Sequence, residues 1–192
     1  MNLTSTKTEQ NLMKAFAGES QARNKYTYFA SVAKKEGYPT IAAIFEETAD
    51  HEKEHAKRFF KFLEEGSMRE ITASFPAGKI GTTMENLIAS ANGEREEYAE
   101  VYPAFAKTAK EEGFPAVAMA FENIAKAESY HENRFRKLIE DLDKQSLFKK
   151  SGLTVWKCTN CGFHITAENA PAACPACLHK QEYFIELNEK LY

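Results

Sequence analysis

No cysteine occurs before residue 158; all four lie between Cys158 and Cys177. Disulfides therefore cannot hold the long N-terminal part together, which has to rest on buried apolar side chains. No apolar run approaches the ~20 residues of a membrane-spanning helix. Charge of either sign is nearly balanced, 25 Lys and Arg against 28 Asp and Glu, a net −3, which leaves no basic footprint for nucleic acid. Met1–Gln10 is polar and has no hydrophobic signal core. These absences exclude a membrane protein, a nucleic-acid binder and a disulfide-stapled secreted domain, and they predict a cytoplasmic protein. The length of 192 residues fits one helical bundle plus a small metal module.

What is present is a repeat. Glu52/His55 and Glu128/His131 are two copies of Glu-x-x-His, 76 residues apart. Ala33–Pro39 aligns with Ala109–Pro115 at the same offset, whereas Gly18-Glu19 aligns with Gly93-Glu94 at 75. The second copy thus holds one extra residue between Glu94 and Ala109. An insertion inside a helix is usually absorbed as a π-bulge, and such bulges favour functional sites.

Each copy reads as a helical hairpin. Stripes with a 3.6-residue period run through Leu12, Phe16, Glu19, Ala22, Tyr26 and Phe29; Ile41, Phe45, Thr48, Glu52, His55 and Phe59; Leu87, Ala91, Glu94, Tyr98, Val101 and Phe105; and Val117, Phe121, Ile124, Glu128, His131 and Phe135. Gly37 and Gly113 are placed to end helices, and Pro39 and Pro115 to start the next ones. The ligand candidates lie about four turns from these hairpin turns, at one level. Gly66–Gly81, with Pro76, breaks the pattern as a long crossover. The expected fold is an all-α four-helix bundle with one long crossover, ferritin-like, over residues 1–147.

The acidic and imidazole residues on the buried stripes form a ligand list. Glu19, Glu52, Glu94 and Glu128 supply carboxylates that can bridge two cations, and His55 and His131 complete them. The i, i+3 spacing puts Glu and His of one motif on the same helix face. Buried carboxylates are too costly to keep without partners. Mixed Glu/His ligation suits iron or manganese, with zinc a third candidate. Glu97, three residues after Glu94, faces the same side, while its counterpart is Ala22. It reads either as a solvated acid or as a ligand that depends on redox state. Tyr26 and Tyr102 also read as lying on the ligand stripes, as core aromatics, hydrogen-bond donors to ligand carboxylates or proton sources. His51, His164 and His179 lack ligand spacing and read as surface residues.

A second domain is expected over 153–192. Cys158-Thr-Asn-Cys161 and Cys174-Pro-Ala-Cys177 form a strong four-sulfur signal, for iron or zinc. Trp156, Phe163, Tyr183 and Phe184 can wrap these knuckles, and so small a segment needs its metal for stability. A polar, irregular linker is expected over Asp141–Gly152.

Over nearly its whole length the chain resembles the rubrerythrins. The resemblance rests on Gly18-Glu19-Ser20-Gln21-Ala22-Arg23-Asn24, His51-Glu52-Lys53-Glu54-His55-Ala56, Gly93-Glu94 with Glu97 and Tyr98, Glu128-Ser129-Tyr130-His131 and the paired knuckles. It implies a non-haem di-iron peroxidase that reduces hydrogen peroxide, with a rubredoxin-type Fe(Cys)4 relay fed by an external reductase or rubredoxin. It further implies a homodimer in which one subunit's relay lies near the other's di-iron site. The implied di-iron ligands are Glu19, Glu52, His55, Glu94, Glu97, Glu128 and His131, with Glu97 and His55 exchanging on one iron with redox state. The implied relay ligands are Cys158, Cys161, Cys174 and Cys177. Leu178 departs from the glycine that usually follows the second knuckle. The rival classes are a ferroxidase or iron-storage bundle, which gives no reason for a tethered sulfur site, and a zinc-ribbon interaction module.

Overall fold

A computed structural model describes residues 2–63, 66 and 68–187. The bundle contains α1 (Lys7–Lys35), α2 (Pro39–Phe60), α3 (Thr83–Glu96), a π-helical segment (Glu97–Val101), α4 (Tyr102–Glu111) and α5 (Pro115–Asp143). The third bundle helix is α3, the π segment and α4 in continuous succession, so four long helices stand in two antiparallel hairpins.

The hairpin turns repeat in detail. Gly37 and Gly113 have φ of 87° and 82°, a region costly to any residue with a Cβ. After them Tyr38 N–H donates to the Ala33 carbonyl at 2.8 Å and Phe114 N–H to the Ala109 carbonyl at 2.7 Å. These bonds satisfy helix-end carbonyls, and Pro39 and Pro115 start the next helices where no N–H is needed. The two hairpins also cap each other. Glu36 accepts from Thr83 N–H at 2.9 Å, and its repeat partner Glu112 accepts from Thr8 N–H at 2.8 Å and Thr8 Oγ at 2.6 Å. Each acid covers the otherwise orphaned donors at the start of the opposite hairpin.

Two apolar clusters fill the bundle. One gathers Tyr26, Phe29, Ile41, Phe45, Leu87 and Phe135; the other gathers Leu12, Phe59, Tyr102, Phe121 and Ile124. Along every helix a glutamate separates them: Glu19 stands between Ala15 and Ala22, Glu52 between Ala49 and Phe59, Glu94 between Ala91 and Tyr102, and Glu128 between Ile124 and Phe135. The polar layer is therefore closed above and below by hydrocarbon.

The inserted residue is absorbed as the expected π segment, in which Tyr102 N–H reaches back to the Glu97 carbonyl. The wider turn also eases Pro103, whose ring would clash with the carbonyl four residues back in a regular helix. It overturns one stripe. Tyr98 does not continue the buried face after Glu94; Tyr102 and Ala106 do. One extra residue advances the face by about a quarter turn, and Tyr98 instead donates to Glu132 at 2.8 Å.

The crossover, where described, forms no helix or strand, and Phe75 lies against Gly18. The expected irregular linker at 141–152 is also corrected: α5 continues to Asp143 and β1 (Lys149–Cys158) begins six residues later. With β2 (His164–Asn169) and β3 (Phe184–Glu186) it forms an antiparallel sheet in the order β2-β1-β3. Residues 188–192, the end of the expected second domain, lie outside the described residues. Leu147 packs on the bundle core and Phe148 on the core of the small unit around Trp156 and Phe184. Lys150 on β1 lies 3.4 Å from Asp141 on α5 and from Glu186 on β3. Two adjacent, partly buried apolar residues thus pack against different cores.

Candidate metal centres

Six of the seven expected bundle ligands converge. Glu19, Glu52, His55 and Glu128 form one group, and Glu52, Glu94, Glu128 and His131 a second, with one donor atom of each residue within 4.8 Å of the others. Glu52 and Glu128 belong to both. His55 Nδ1 is 2.9 Å from Glu52 Oε2 and 2.9 Å from Glu128 Oε1; His131 Nδ1 is 3.2 Å from Glu52 Oε1 and 2.8 Å from Glu128 Oε2. Each shared carboxylate thus turns one oxygen to either histidine, as a bridge between two cations requires.

Close approach is not pairing. Glu19 Oε2, Glu52 Oε1, Glu94 Oε2, both oxygens of Glu128 and His131 Nδ1 are buried without an aligned hydrogen-bond partner. One unsatisfied buried polar atom costs ~1–3 kcal/mol, more when charged. A cluster of such atoms, all lone-pair donors, fits two divalent cations and little else. Tyr26 hydroxyl donates to Glu94 Oε1, and Tyr102 hydroxyl, 76 residues on, donates to Glu19 Oε1, which orients the two non-shared carboxylates.

The proton balance follows from this crowding. Burial, then the charges of Glu52, Glu128 and Glu97, push Glu19 well above the usual carboxylate range. Burial, then the Glu52 charge, pushes Glu94 up to about 8. Burial alone would lower His55 and His131, but the surrounding carboxylates outweigh it and push them up to about 9 and about 12. Burial would raise Glu52, but both imidazoles outweigh it and bring it down to about 2. Without metal, imidazolium stands in for the cations.

A pH dependence follows. Unfolded Glu94 loses its proton near 4.5, whereas folded Glu94 keeps it to about 8, so metal-free stability falls across that window. His55 adds stability that is complete below 6.5 and lost as pH rises through about 9. Glu52 acts oppositely, its contribution complete above 4.5 and lost as pH falls through about 2. Thermal melts of the metal-free bundle should therefore give a melting temperature that falls from pH 6 to pH 9. Iron affinity should rise over the same range, because ligation displaces those protons. A metal-free melting temperature that climbed from pH 6 to 9 would contradict this assignment of charge.

Two residues fall differently. Glu97, at the start of the π segment, stands outside both four-residue groups. Its carboxyl is still raised, by burial and then by Glu94, Glu128 and Glu52, so it lies within electrostatic reach of them. His51, which the spacing assigns to the surface without a role, is the other. Its ring is exposed, yet its Nδ1 lies 3.1 Å from His131 Nε2. One sequence signal marks it: 76 residues on, the repeat has Ala127.

The cysteines form the other centre. Cys158 Sγ is 3.7 Å from Cys177 Sγ, and Cys161 Sγ is 3.6 Å from Cys174 Sγ. A disulfide needs ~2.05 Å. Sulfurs at ~2.3 Å from a tetrahedral metal lie close to the observed spacing. The two knuckles superpose in pattern. Cys158 N–H donates to Phe163 O and Cys174 N–H to His179 O; Gly162 N–H donates to Cys158 O and Leu178 N–H to Cys174 O. Leu178 therefore inherits the left-handed backbone of Gly162, φ 61° against 77°, at a cost of ~1–2 kcal/mol.

Comparison with known proteins agrees with this geometry. The family model described as rubrerythrin matches residues 10–139, and that of the rubrerythrin rubredoxin-like domain matches 156–185. The chain belongs to the rubrerythrin family. It is 58% identical to the rubrerythrin of Porphyromonas gingivalis over 183 residues, 95% of this chain and 91% of that one. A structure of nigerythrin in a mixed-valence state superposes with a TM-score of 0.64 at 31% identity, over 96% of this chain and 91% of the other. Bacterioferritin of Desulfovibrio desulfuricans, a protein with a diiron site, matches 73% of this chain and 82% of its own at 25% identity and a TM-score of 0.63. The rubrerythrin fold here is thus a ferritin-like bundle joined to a rubredoxin-like unit. Its two overlapping Glu/His groups form the family's di-iron carboxylate site, and its four cysteines the rubredoxin-like iron site.

Proposed function

We propose that the chain is a non-haem peroxidase that reduces hydrogen peroxide to two waters with two electrons and two protons, and that an external reductase or rubredoxin resupplies it through the four-cysteine centre. Bound iron supplies the redox chemistry, two electrons from the bundle pair and one-electron return from the sulfur-ligated ion. The observation that carries the reading is one chain that brings together both a Glu/His ligand cluster in its bundle and a four-cysteine cluster in its small unit. A storage bundle has no use for the second site. The chain's own groups prepare the first. Glu52 and Glu128 would be shared by the two ions and Glu19 and Glu94 would complete either end, while Tyr102 donates to Glu19 and Tyr26 to Glu94. In the metal-free cluster burial and adjoining carboxylates raise both phenols well above their ordinary value, so each hydroxyl keeps its proton and donates it to a carboxylate. We further infer a homodimer.

Anaerobic mixing of chemically reduced protein with hydrogen peroxide tests the reading. One peroxide should be consumed per bundle iron pair, at a rate well above that with dioxygen, and no iron should accumulate beyond stoichiometry. Slow consumption of peroxide with progressive iron loading would favour the ferroxidase reading.

Glu97 refines the proposal. Four carboxylates balance two ferrous ions with neutral histidines, and oxidation leaves positive charge that a fifth carboxylate can meet. Glu97→Ala should keep two irons but slow the return from the oxidised state. Structures of both oxidation states decide: identical ligands on the iron nearest His55 in both, with Glu97 in solvent, end the exchange hypothesis.

A further inference from the structure

The two histidine ligands, related by the repeat, are not held alike. His131 directs Nδ1 at Glu128 and Glu52, so its Nε2 is the outer nitrogen and carries the proton. That nitrogen meets His51 Nδ1 at 3.1 Å. The two ring planes lie within 10° of each other with centroids 5.3 Å apart. Stacked faces would touch at ~3.5–4.0 Å, so this short nitrogen-to-nitrogen approach places the rings edge to edge, nearly in one plane. His131 Nε2–H donates, His51 Nδ1 accepts, and the remaining proton of a neutral His51 sits on Nε2. The same donor and acceptor roles hold whether His131 is an imidazolium facing carboxylates or a neutral ligand.

Among the described residues His55 shows no such anchor. Position 127, equivalent to His51 in the repeat, is Ala127. Among the described residues His55 forms its hydrogen bond through Nδ1 to Glu52, with Glu128 Oε1 2.9 Å from the same nitrogen, and its ring is half-buried rather than enclosed. We propose that His51 is a positioning residue that fixes the tautomer and orientation of His131, making His131 the permanent histidine ligand and leaving His55 as the one able to exchange with Glu97. This rests on the di-iron reading of the site. The physical basis is general: a hydrogen bond to the outer nitrogen of a ligating imidazole orients the ring and raises its basicity, and losing it typically weakens metal binding ~10–100-fold.

Anaerobic Fe(II) titration of the full chain, with its rubredoxin-like centre filled, tests the proposal. His51→Ala should weaken one of the two bundle irons ~10–100-fold and leave the other unchanged. His51→Gln should restore most of the loss, because its carbonyl oxygen can accept the same proton; a merely space-filling role would not discriminate in this way. In 15N-histidine-labelled, Zn(II)-substituted protein, His131 Nε2–H should resonate as a slowly exchanging proton coupled to His51 Nδ1, and that signal should vanish in His51→Ala. Wild-type affinity for both irons in His51→Ala, equal weakening of both, or absence of the coupled proton would each overturn the proposal. None of these readouts uses peroxide. A protein inactive with peroxide but selectively weakened at one iron would sink the peroxidase reading and keep this one.

Discussion

Glu128→Ala and Glu52→Ala should each strip the bundle of both metal ions. These are the two residues common to the two ligand groups. Glu128 lies 2.9 Å from His55 and 2.8 Å from His131 through its separate oxygens, and Glu52 lies 2.9 Å and 3.2 Å from the same pair. Removing either would take one ligand from each cation. Glu19→Ala should be milder, since Glu19 belongs to one group only. Iron counted per chain after anaerobic loading, with the cysteine site scored separately by its visible absorption, gives the comparison. Retention of two bundle irons in either shared-carboxylate variant would falsify the bridging role. The metal-free fold should survive, because two apolar clusters close the site from both ends.

Cys161→Ser should abolish reductase-driven turnover while sparing the first turnover. Cys161 is the exposed ligand of the sulfur site, its sulfur 3.6 Å from that of Cys174. A hydroxyl there leaves three thiolates and spoils the four-sulfur environment on which the iron's potential depends. The bundle draws its stability from its own core, so chemically reduced protein should still consume one equivalent of peroxide. The small unit buries little beyond Trp156, Ala170, Phe184 and two cysteines, so it should become more labile. Steady-state rates with a reductase, set beside single-turnover stoichiometry, separate the two steps. Unaltered steady-state turnover would remove the relay from the proposed function.

The ligand list is legible in the amino-acid sequence because it depends on local periodicity. Glu and His three residues apart must share a helix face, and two copies at one offset must meet once the hairpins pack. The ends marked by Gly37 and Gly113 and the paired knuckles are equally local, set by backbone angle and by chelate spacing. Other features depend on how one helix is rotated against another, which no stretch of chain encodes by itself. The π segment is visible as an insertion, but not its effect of retiring Tyr98 from the core in favour of Tyr102, since that depends on where the widened turn falls relative to α5. The exchange of caps through Glu36 and Glu112 joins residues more than forty and more than a hundred positions apart. Leu178 reads in the sequence as a missing glycine, and the fold shows it bearing the left-handed angle that its knuckle imposes. His51 reads as a surface residue, and its ring is indeed exposed. That its Nδ1 meets the outer nitrogen of one of two matching histidines emerges only when α2 and α5 stand side by side, because a hydrogen bond is decided by distance and angle across the bundle and not by position along the chain.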